Sequence, residues 1–357
     1  MIELRTAEQK QAVAPFLAPL TTHHLSVAAV LAGTVAGKVW VDTPEQPRVG
    51  YAETPEGYYL TGDPHASDLY AALHALIPPY AYLIVEPAAW DAVLDQVWSN
   101  PFARPHGRRT YRLHSLRLTG WRTHLPAGYS VVPLDAALAE RTELQGHAHL
   151  MDHAENWPSR DAFLALNCGV CAIRDDAIVS YALADCVVGD RCELGVATEA
   201  AHRRRGLATL VTAAAIERAQ AAGIQEIGWQ CFASNAGSIA VAEKVGFQPF
   251  ADYLAYSMVL PAANAGDLSV AECAAWALHC ERASETLPWC AFHAAGAWAQ
   301  AGEPARALLN IERLIDSQWQ GRPEWLETHW MFAELRTTPA FQEKLATLRA
   351  QQPHVQV

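Results

Sequence analysis

The stretch Glu193-Leu-Gly-Val-Ala-Thr198, followed by Arg203-Arg204-Arg205-Gly206-Leu207-Ala208 and an apolar run to Ala222, decides how this chain is read. Glu193–Thr198 has the length and composition of a short strand. Gly206–Ala222 has helical spacing, and Gly223 is suited to closing a helix. Strand, basic glycine turn and helix therefore succeed one another. The first turn of a helix leaves four backbone N–H groups unpaired and carries the positive end of the helix dipole, which together make an anion site. Gly206 lets the backbone come close to an anion, Ala208 is small for the same reason, and three arginines add charge and phosphate contacts. The Lys-Ser/Thr of a P-loop and the GxGxxG of a dinucleotide fold are both missing, which narrows the anions on offer. Alone, the turn says that a phosphate binds; the bland alternative is a solvated basic helix start.

Working outward, the segment from Tyr129 predicts a strand at Ser130–Pro133, a helix at Leu134–Gln145 and a second at Ser159–Leu166. Cys168–Ile173 and Ile178–Val188 read as a hairpin about Asp175-Asp176. Beyond the arginine turn come a strand at Ile224–Cys231, a helix at Ser238–Val245 and a strand at Tyr253–Leu260. Residues 1–120 carry a weaker pattern of the same kind. Lys38–Asp42 and Arg48–Ala52 read as strands, and Gly57–Thr61 continues past the Pro55-Glu56-Gly57 turn. Ser67–Leu76 is helical, Tyr82–Val85 a strand, Trp90–Trp98 helical and Arg109–Leu113 a last strand. Pro261–Gly266 is a linker by composition. From there to the C-terminus the pattern is all-helical, with Leu287–Gln300 and Pro304–Ser317 joined as a hairpin across Ala301-Gly302-Glu303, and Ala299 and Ala307 small where the helices cross.

Here the sequence resembles a known family. Arg203-x-x-Gly206-x-Ala208 after the strand Glu193–Thr198 is similar to the acetyl-CoA motif of the GNAT N-acetyltransferase superfamily. Asn235-x-x-Ser238-Ile239 and Lys244-Val245-Gly246-Phe247 match its downstream helix closed by Gly-Phe. The resemblance covers residues 127–260, and residues 1–260 together resemble a branch with an extra N-terminal domain, related to antibiotic self-resistance acetyltransferases. It implies an α/β fold with a mixed, splayed sheet flanked by helices at 127–260. A degenerate GNAT-like α/β domain would precede it at 1–126, and a small helical domain, weakly similar to a tetratricopeptide hairpin, would come after it at 261–357. The equivalent turn of the first half, Gly62-Asp63-Pro64-His65, has an acidic residue and a proline without an N–H, so that half is not expected to bind CoA.

The resemblance implies acetyl-CoA as co-substrate, held by the turn from Arg203 through Arg204, Arg205, Gly206, Leu207 and Ala208 to Thr209. Val196, Ala197 and Thr198 would offer strand backbone to the pantetheine arm, and Asn235 and Ser238 would approach it from the following helix. Trp229 and Phe232 would line the cleft, although aromatic residues beside a strand end are as often core. In this family the amine attacks the thioester directly with both substrates bound, and a base must take its proton. Glu193 is the candidate base; the alternative is a rim carboxylate paired with Arg191. The tyrosine that the family commonly uses to protonate the departing thiolate falls here at Ala242, which leaves Tyr253, Tyr256 or solvent.

The segment His147-Ala-His149-Leu-Met-Asp152-His153-Ala-Glu155 lies where the family builds a wall of the acceptor cleft. His149, Asp152 and Glu155 are therefore candidate substrate contacts. His149 and His153 at i, i+4 are also a zinc spacing, but no cysteine or fixed motif supports it and no metal is expected. Cys168-Gly-Val-Cys171 lies in a strand, where a redox pair would open a helix, so the eight cysteines read as buried thiols.

Composition bounds the partners. A net charge of −12 argues against nucleic acid and favours a small cationic amine acceptor. The longest apolar stretches, such as Val211–Ile216, fall far short of the roughly 20 residues that cross a bilayer. The Met1-Ile-Glu-Leu-Arg5 start has no basic segment leading into an apolar run. A cytoplasmic N-acetyltransferase without a membrane partner is the expectation. The C-terminal helices would serve a homodimer contact or a protein partner, or simply pack on the enzyme. A catalytically weak CoA-binding sensor or scaffold that acts through those helices is the alternative.

Overall fold

A computed structural model describes the protein over residues 1–351. Its strands are β1 (Ile2–Glu3), β2 (Lys38–Val41), β3 (Val49–Thr54), β4 (Gly57–Gly62), β5 (Leu83–Glu86), β6 (Arg104–Leu113), β7 (Ser130–Pro133), β8 (Val170–Arg174), β9 (Ala177–Val188), β10 (Arg191–Thr198), β11 (Glu226–Phe232) and β12 (Phe247–Ser257). They form one sheet in the order β1-β2-β3-β4-β5-β12-β6-β11-β10-β9-β8-β7. The sheet is mixed: β4–β5 and β10–β11 are parallel, and the other described pairs are antiparallel. Each half of the sheet thus holds one parallel pair. The last strand of each half lies beside the other half's pair, β6 next to β11 and β12 next to β5. That exchange builds both halves into one continuous surface, and it brings β4, β5, β6, β9, β10, β11 and β12 to a common site.

The chain separates into two compact units. The first comprises Met1–Ser99, Arg108–Cys231 and Gly237–Ala255, and its buried residues include two large apolar clusters. The larger core lies under the helix Leu207–Ala221, whose Leu207, Leu210, Val211, Ala214, Ala215 and Ile216 are all buried. A helix this apolar on every side needs cover all round. Opposite the sheet, Trp121 closes over it and donates its indole N–H to Glu217 at 2.8 Å. The second unit comprises Asn100–Gly107, Phe232–Ala236 and the residues from Tyr256 onward. Its helices Val270–Ser284, Cys290–Gln300, Pro304–Asp316 and Pro339–Gln351 enclose Trp298, Ile311, Leu314, Phe332 and Phe341. Ala307 is fully buried in that core, as its small size at a crossing requires.

The α/β architecture with a helical C-terminal region agrees with the sequence reading, and the departures have local causes. The helix expected at Leu134–Gln145 shrinks to Ala136–Ala139, capped by Asp135. Gln145 is claimed by the sheet edge instead: its N–H donates to Asp176 O and its carbonyl accepts from Ile178 N. Helices at Ala7–Val13, Ala18–His23 and Leu25–Ala32 add to the expected elements; they share a core with Val39, Ala52 and Tyr59 of the first half and with Cys186 of β9. The last strand begins at Phe247, not Tyr253, because Gly246 ends the preceding helix at φ 118° directly against Ser115 O. A Cβ there would overlap that carbonyl, so the Gly-Phe signature marks a close backbone approach. Asp175 and Asp176 both take positive φ, as a two-residue hairpin turn between β8 and β9 demands. All eight cysteines are free and buried.

Candidate active site

The strand β10 has different neighbours along its length. Against β9 it is paired throughout, from Arg191↔Val188 to Thr198↔Ser180. Against β11 the parallel register covers only Arg191↔Glu226, Cys192↔Ile227 and Glu193↔Gly228. From Leu194 onward the β11-facing edge of β10 has no strand partner, so its backbone groups must find another. Val196 and Thr198 are half-buried and Ala197 is exposed on this open edge. The register shift at Glu193/Leu194 puts one extra residue, Asp185, into β9 opposite the point where the strands part.

Past Thr198 the chain makes a turn at Ala200–His202 and then the arginine loop. Arg203 Nε donates to Thr198 O at 3.0 Å, which ties the loop to the strand end. Arg204 has φ 59° and Gly206, the residue before the helix, has φ 81°. Arg203, Arg204, Arg205 and Gly206 are all exposed, and nothing lies within 4 Å of where a Cβ on Gly206 would stand. Leu207 and Thr209 turn their side chains into the core, so they offer only backbone N–H groups; Ala208 is half-buried. The result is an uncovered helix start, its first-turn N–H groups preceded by three exposed arginines. This is the chemistry a pyrophosphate needs.

Glu193 faces a cavity of about 300 Å3. Its walls come from β4 (Tyr59), β5 (Ile84), β6 (Arg108), β9 (Ala184, Asp185), β11 (Gln230) and β12 (Tyr253), together with Pro55, Glu56, Tyr82, His153, Asn156 and Trp157. Three carboxylates, Glu56, Asp185 and Glu193, thus share a space with one guanidinium. Burial pushes the Glu193 carboxyl well above its usual range, and the nearby Glu56 and Asp185 charges push it further. The hydrogen bond from Gln230 and the charge of Arg108 pull it partly back. Asp185 is pushed up to about 8, by burial first and then by Glu56. Glu56 is raised by burial against the opposing pull of Arg108 and the Ser26 hydroxyl.

A directional chain of hydrogen bonds ends on Glu193. Arg108 Nε donates to Tyr253 Oη at 3.3 Å, Tyr253 Oη donates to Gln230 Oε1 at 2.5 Å, and Gln230 Nε2 donates to Glu193 Oε2 at 2.9 Å. Arg108 can only donate, so the Tyr253 oxygen accepts from it and each group in turn is left to donate onward. Tyr253 is held mainly by burial at about 12, which keeps its proton at neutral pH. Arg191, the alternative partner for Glu193, pairs with Glu226 at 3.3 Å.

Several expected residues sit elsewhere. Trp229 is 2 % exposed, packs on Phe247 and donates to Ser238 Oγ at 3.0 Å, so it belongs to the core and holds Ser238. Tyr256 is buried and does not line the cavity, because three residues along β12 it faces the other way from Tyr253. Ala242 is fully buried. Asn235 is buried in the second unit, with Oδ1 accepting from Asn264 at 3.5 Å. His149, Asp152 and Glu155 are exposed; the same segment turns His153, Asn156 and Trp157 to the cavity instead. His153 bonds Tyr181 Oη at 3.2 Å, and its ring stands 6.1 Å from that of His149. Among the described residues no group of three or more His, Cys, Asp or Glu is arranged to hold a metal. Glu56, Arg108, Asp185 and Gln230 escaped the sequence reading. Each lies on a strand or turn whose partner could be known only from the strand order.

A family model described as GNAT acetyltransferase matches residues 18–256. The chain belongs to the GNAT acetyltransferase family. It is therefore an acyltransferase, and the match takes in the N-terminal half of the sheet as well as the arginine loop. The Bacillus subtilis (strain 168) protein YdfB, described as an uncharacterized N-acetyltransferase, is 24% identical over 242 residues, which are 64% of this chain and 88% of that protein. The crystal structure of a GCN5-related N-acetyltransferase-like protein from Streptococcus suis 89/1591 superposes with a TM-score of 0.56 at 22% identity. It covers 71% of this chain and 99% of the other, and that likeness concerns the GNAT fold. Among the described residues no helix is long and apolar enough to cross a membrane.

Proposed function

We propose that this acetyltransferase moves the acetyl group of acetyl-CoA to a primary amine on a small cationic molecule, by direct attack with both substrates bound. The observation that carries the reading is the cavity at the split between β10 and β11, where Glu193, Asp185 and Glu56 face a single guanidinium. Such a space attracts a cation, and a carboxylate raised by burial is a suitable base for an ammonium proton at neutral pH. Donor binding is supported by the arginine loop at one end of the open β10 edge. Its N–H groups and Arg203, Arg204 and Arg205 suit the pyrophosphate, and Val196–Thr198 suit the pantetheine arm.

In the proposed reaction Glu193 takes a proton from the bound amine. The nitrogen lone pair then forms the C–N bond to the thioester carbon, and the C–S bond breaks to give the CoA thiolate. Tyr253, which keeps its proton at neutral pH, is the proposed source of the proton for that thiolate and regains one from the second proton that the acylated nitrogen releases, with Gln230 fixing both groups. The same reading takes 1–126 as a degenerate half, 127–260 as the catalytic half and 261–357 as an appended helical region of a cytoplasmic enzyme. The test is thiol release from acetyl-CoA across a panel of amines. Turnover with any amine supports the enzyme; tight CoA binding with no turnover on any amine favours the sensor.

A further inference from the structure

The cavity holds more carboxyl groups than transfer to one amine requires. Glu193 accepts from Gln230, and Arg108 donates to Tyr253 and lies 6.0 Å from the centre of the Tyr82 ring. Asp185 differs from both: among the described residues no donor reaches its carboxylate. Its place is nevertheless prepared. Asp185 is the extra residue of β9 at the register shift, and its carboxylate lies against Gly195 of β10, where a Cβ would stand 2.6 Å from Asp185 Oδ2. An anion in a half-buried wall without a donor carries a desolvation cost, and a bound cation removes that cost. Glu56 reaches the same cavity from the turn between β3 and β4, so the N-terminal half supplies one of the three carboxylates.

We propose, on the acetyl-transfer reading above on which this inference rests, that the acceptor carries two cationic nitrogens. One is delivered to Glu193 for acetylation, and the other is held as an ammonium by Asp185 and Glu56. The ligand class is a small diamine, since about 300 Å3 is at the lower end of ligand pockets. An acceptor with a carboxylate beside its amine meets three carboxyl groups and one guanidinium already engaged with Tyr253, and is disfavoured.

The full chain is titrated with matched pairs: butylamine against 1,4-diaminobutane, and cyclohexylamine against 1,3-diaminocyclohexane. Binding is read by calorimetry with CoA present, and transfer by thiol release from acetyl-CoA. Each diamine is expected to bind about tenfold or more tightly than its monoamine, a difference of ~1.4 kcal/mol. Asp185→Asn should abolish most of that ratio, and Glu56→Gln should reduce it. Gly195→Ala, which crowds the carboxylate and keeps its charge, should lower the ratio too, and it serves if Asp185→Asn does not fold. Equal binding of the pairs, or a preference that survives all three substitutions, overturns the inference. If amines are acetylated with no preference for diamines, the dicationic site fails and acetyl transfer stands. If diamines are preferred and Asp185→Asn removes the preference without any turnover, the site stands and the transfer reading fails.

Discussion

Gln230 donates its side-chain N–H to Glu193 Oε2 at 2.9 Å, from a position two residues past Gly228, where the register between β10 and β11 ends. A side chain thus spans the split where backbone pairing stops. The bond favours the ionised carboxylate against the burial and the two like charges that oppose it. Glu193→Gln keeps the shape and removes the base. Transfer should fall by about 10²–10⁴-fold, the usual worth of a general base, with CoA affinity retained. Steady-state thiol release and CoA calorimetry check this; an unchanged rate removes Glu193 from the chemistry.

Tyr253 acts on Glu193 through Gln230, since its Oη–H fixes the amide oxygen that faces away from the carboxylate. Tyr253→Phe frees that amide to turn. With the Gln230 bond weakened, the Glu193 carboxyl should rise further, because the bond is what lowers it. The rising limb of the pH–rate profile should therefore move to higher pH, and the plateau should drop by about tenfold if Tyr253 also supplies the thiolate proton. A lower plateau with an unmoved limb would mean that the chain of hydrogen bonds does not tune the base.

The arginine loop was legible in the sequence and most of the cavity wall was not, for a physical reason. Arg203–Ala208 is a local motif: strand end, positive-φ turn and helix start lie within a dozen residues, so short-range signals specify it. Glu193 could be named because it lies on the same strand. Asp185 becomes notable only through a one-residue bulge, and Glu56 and Arg108 only through the exchange that puts β12 beside β5 and β6 beside β11. The helix misjudged at Leu134–Gln145 has the same origin, since the hairpin turn that captures Gln145 lies some thirty residues on. After His147 the chain reaches the cavity wall only at His153, Asn156 and Trp157, while His149, Asp152 and Glu155 are exposed, and an i, i+4 pattern alone does not say which of these faces the sheet.

Gly206 separates conformation from contact. A Cβ there meets no atom of the protein, so Gly206→Ala should cost only the strain of φ 81°, about 1–2 kcal/mol. If pyrophosphate sits in the loop, the methyl also stands in its place, and CoA affinity should fall by about tenfold or more. Arg205→Glu should weaken CoA binding comparably by repulsion and leave thermal stability unchanged, because Arg205 is exposed. CoA calorimetry beside thermal unfolding reads both; full CoA affinity in the two variants would remove the loop from the donor site.

Asp185 ties the site to stability. Its carboxyl is held up to about 8, with Glu56, Glu193 and Arg108 the charged groups around it. An unfolded aspartate titrates near 3.8. Between these values the folded chain keeps a proton that the unfolded chain has released. Stability from this group is therefore full below pH 4 and is lost as pH rises toward 8. Asn mimics the neutral carboxyl and cannot ionise. Asp185→Asn should therefore raise the unfolding midpoint by a few degrees at pH 8 to 9, with a much smaller gain at pH 5. A diamine bound to the wild type should recover part of the same gain at pH 8, because it neutralises the charge that Asn removes. Thermal melts of both proteins across that range decide it. An equal gain at every pH would place the effect in packing and not in the buried charge.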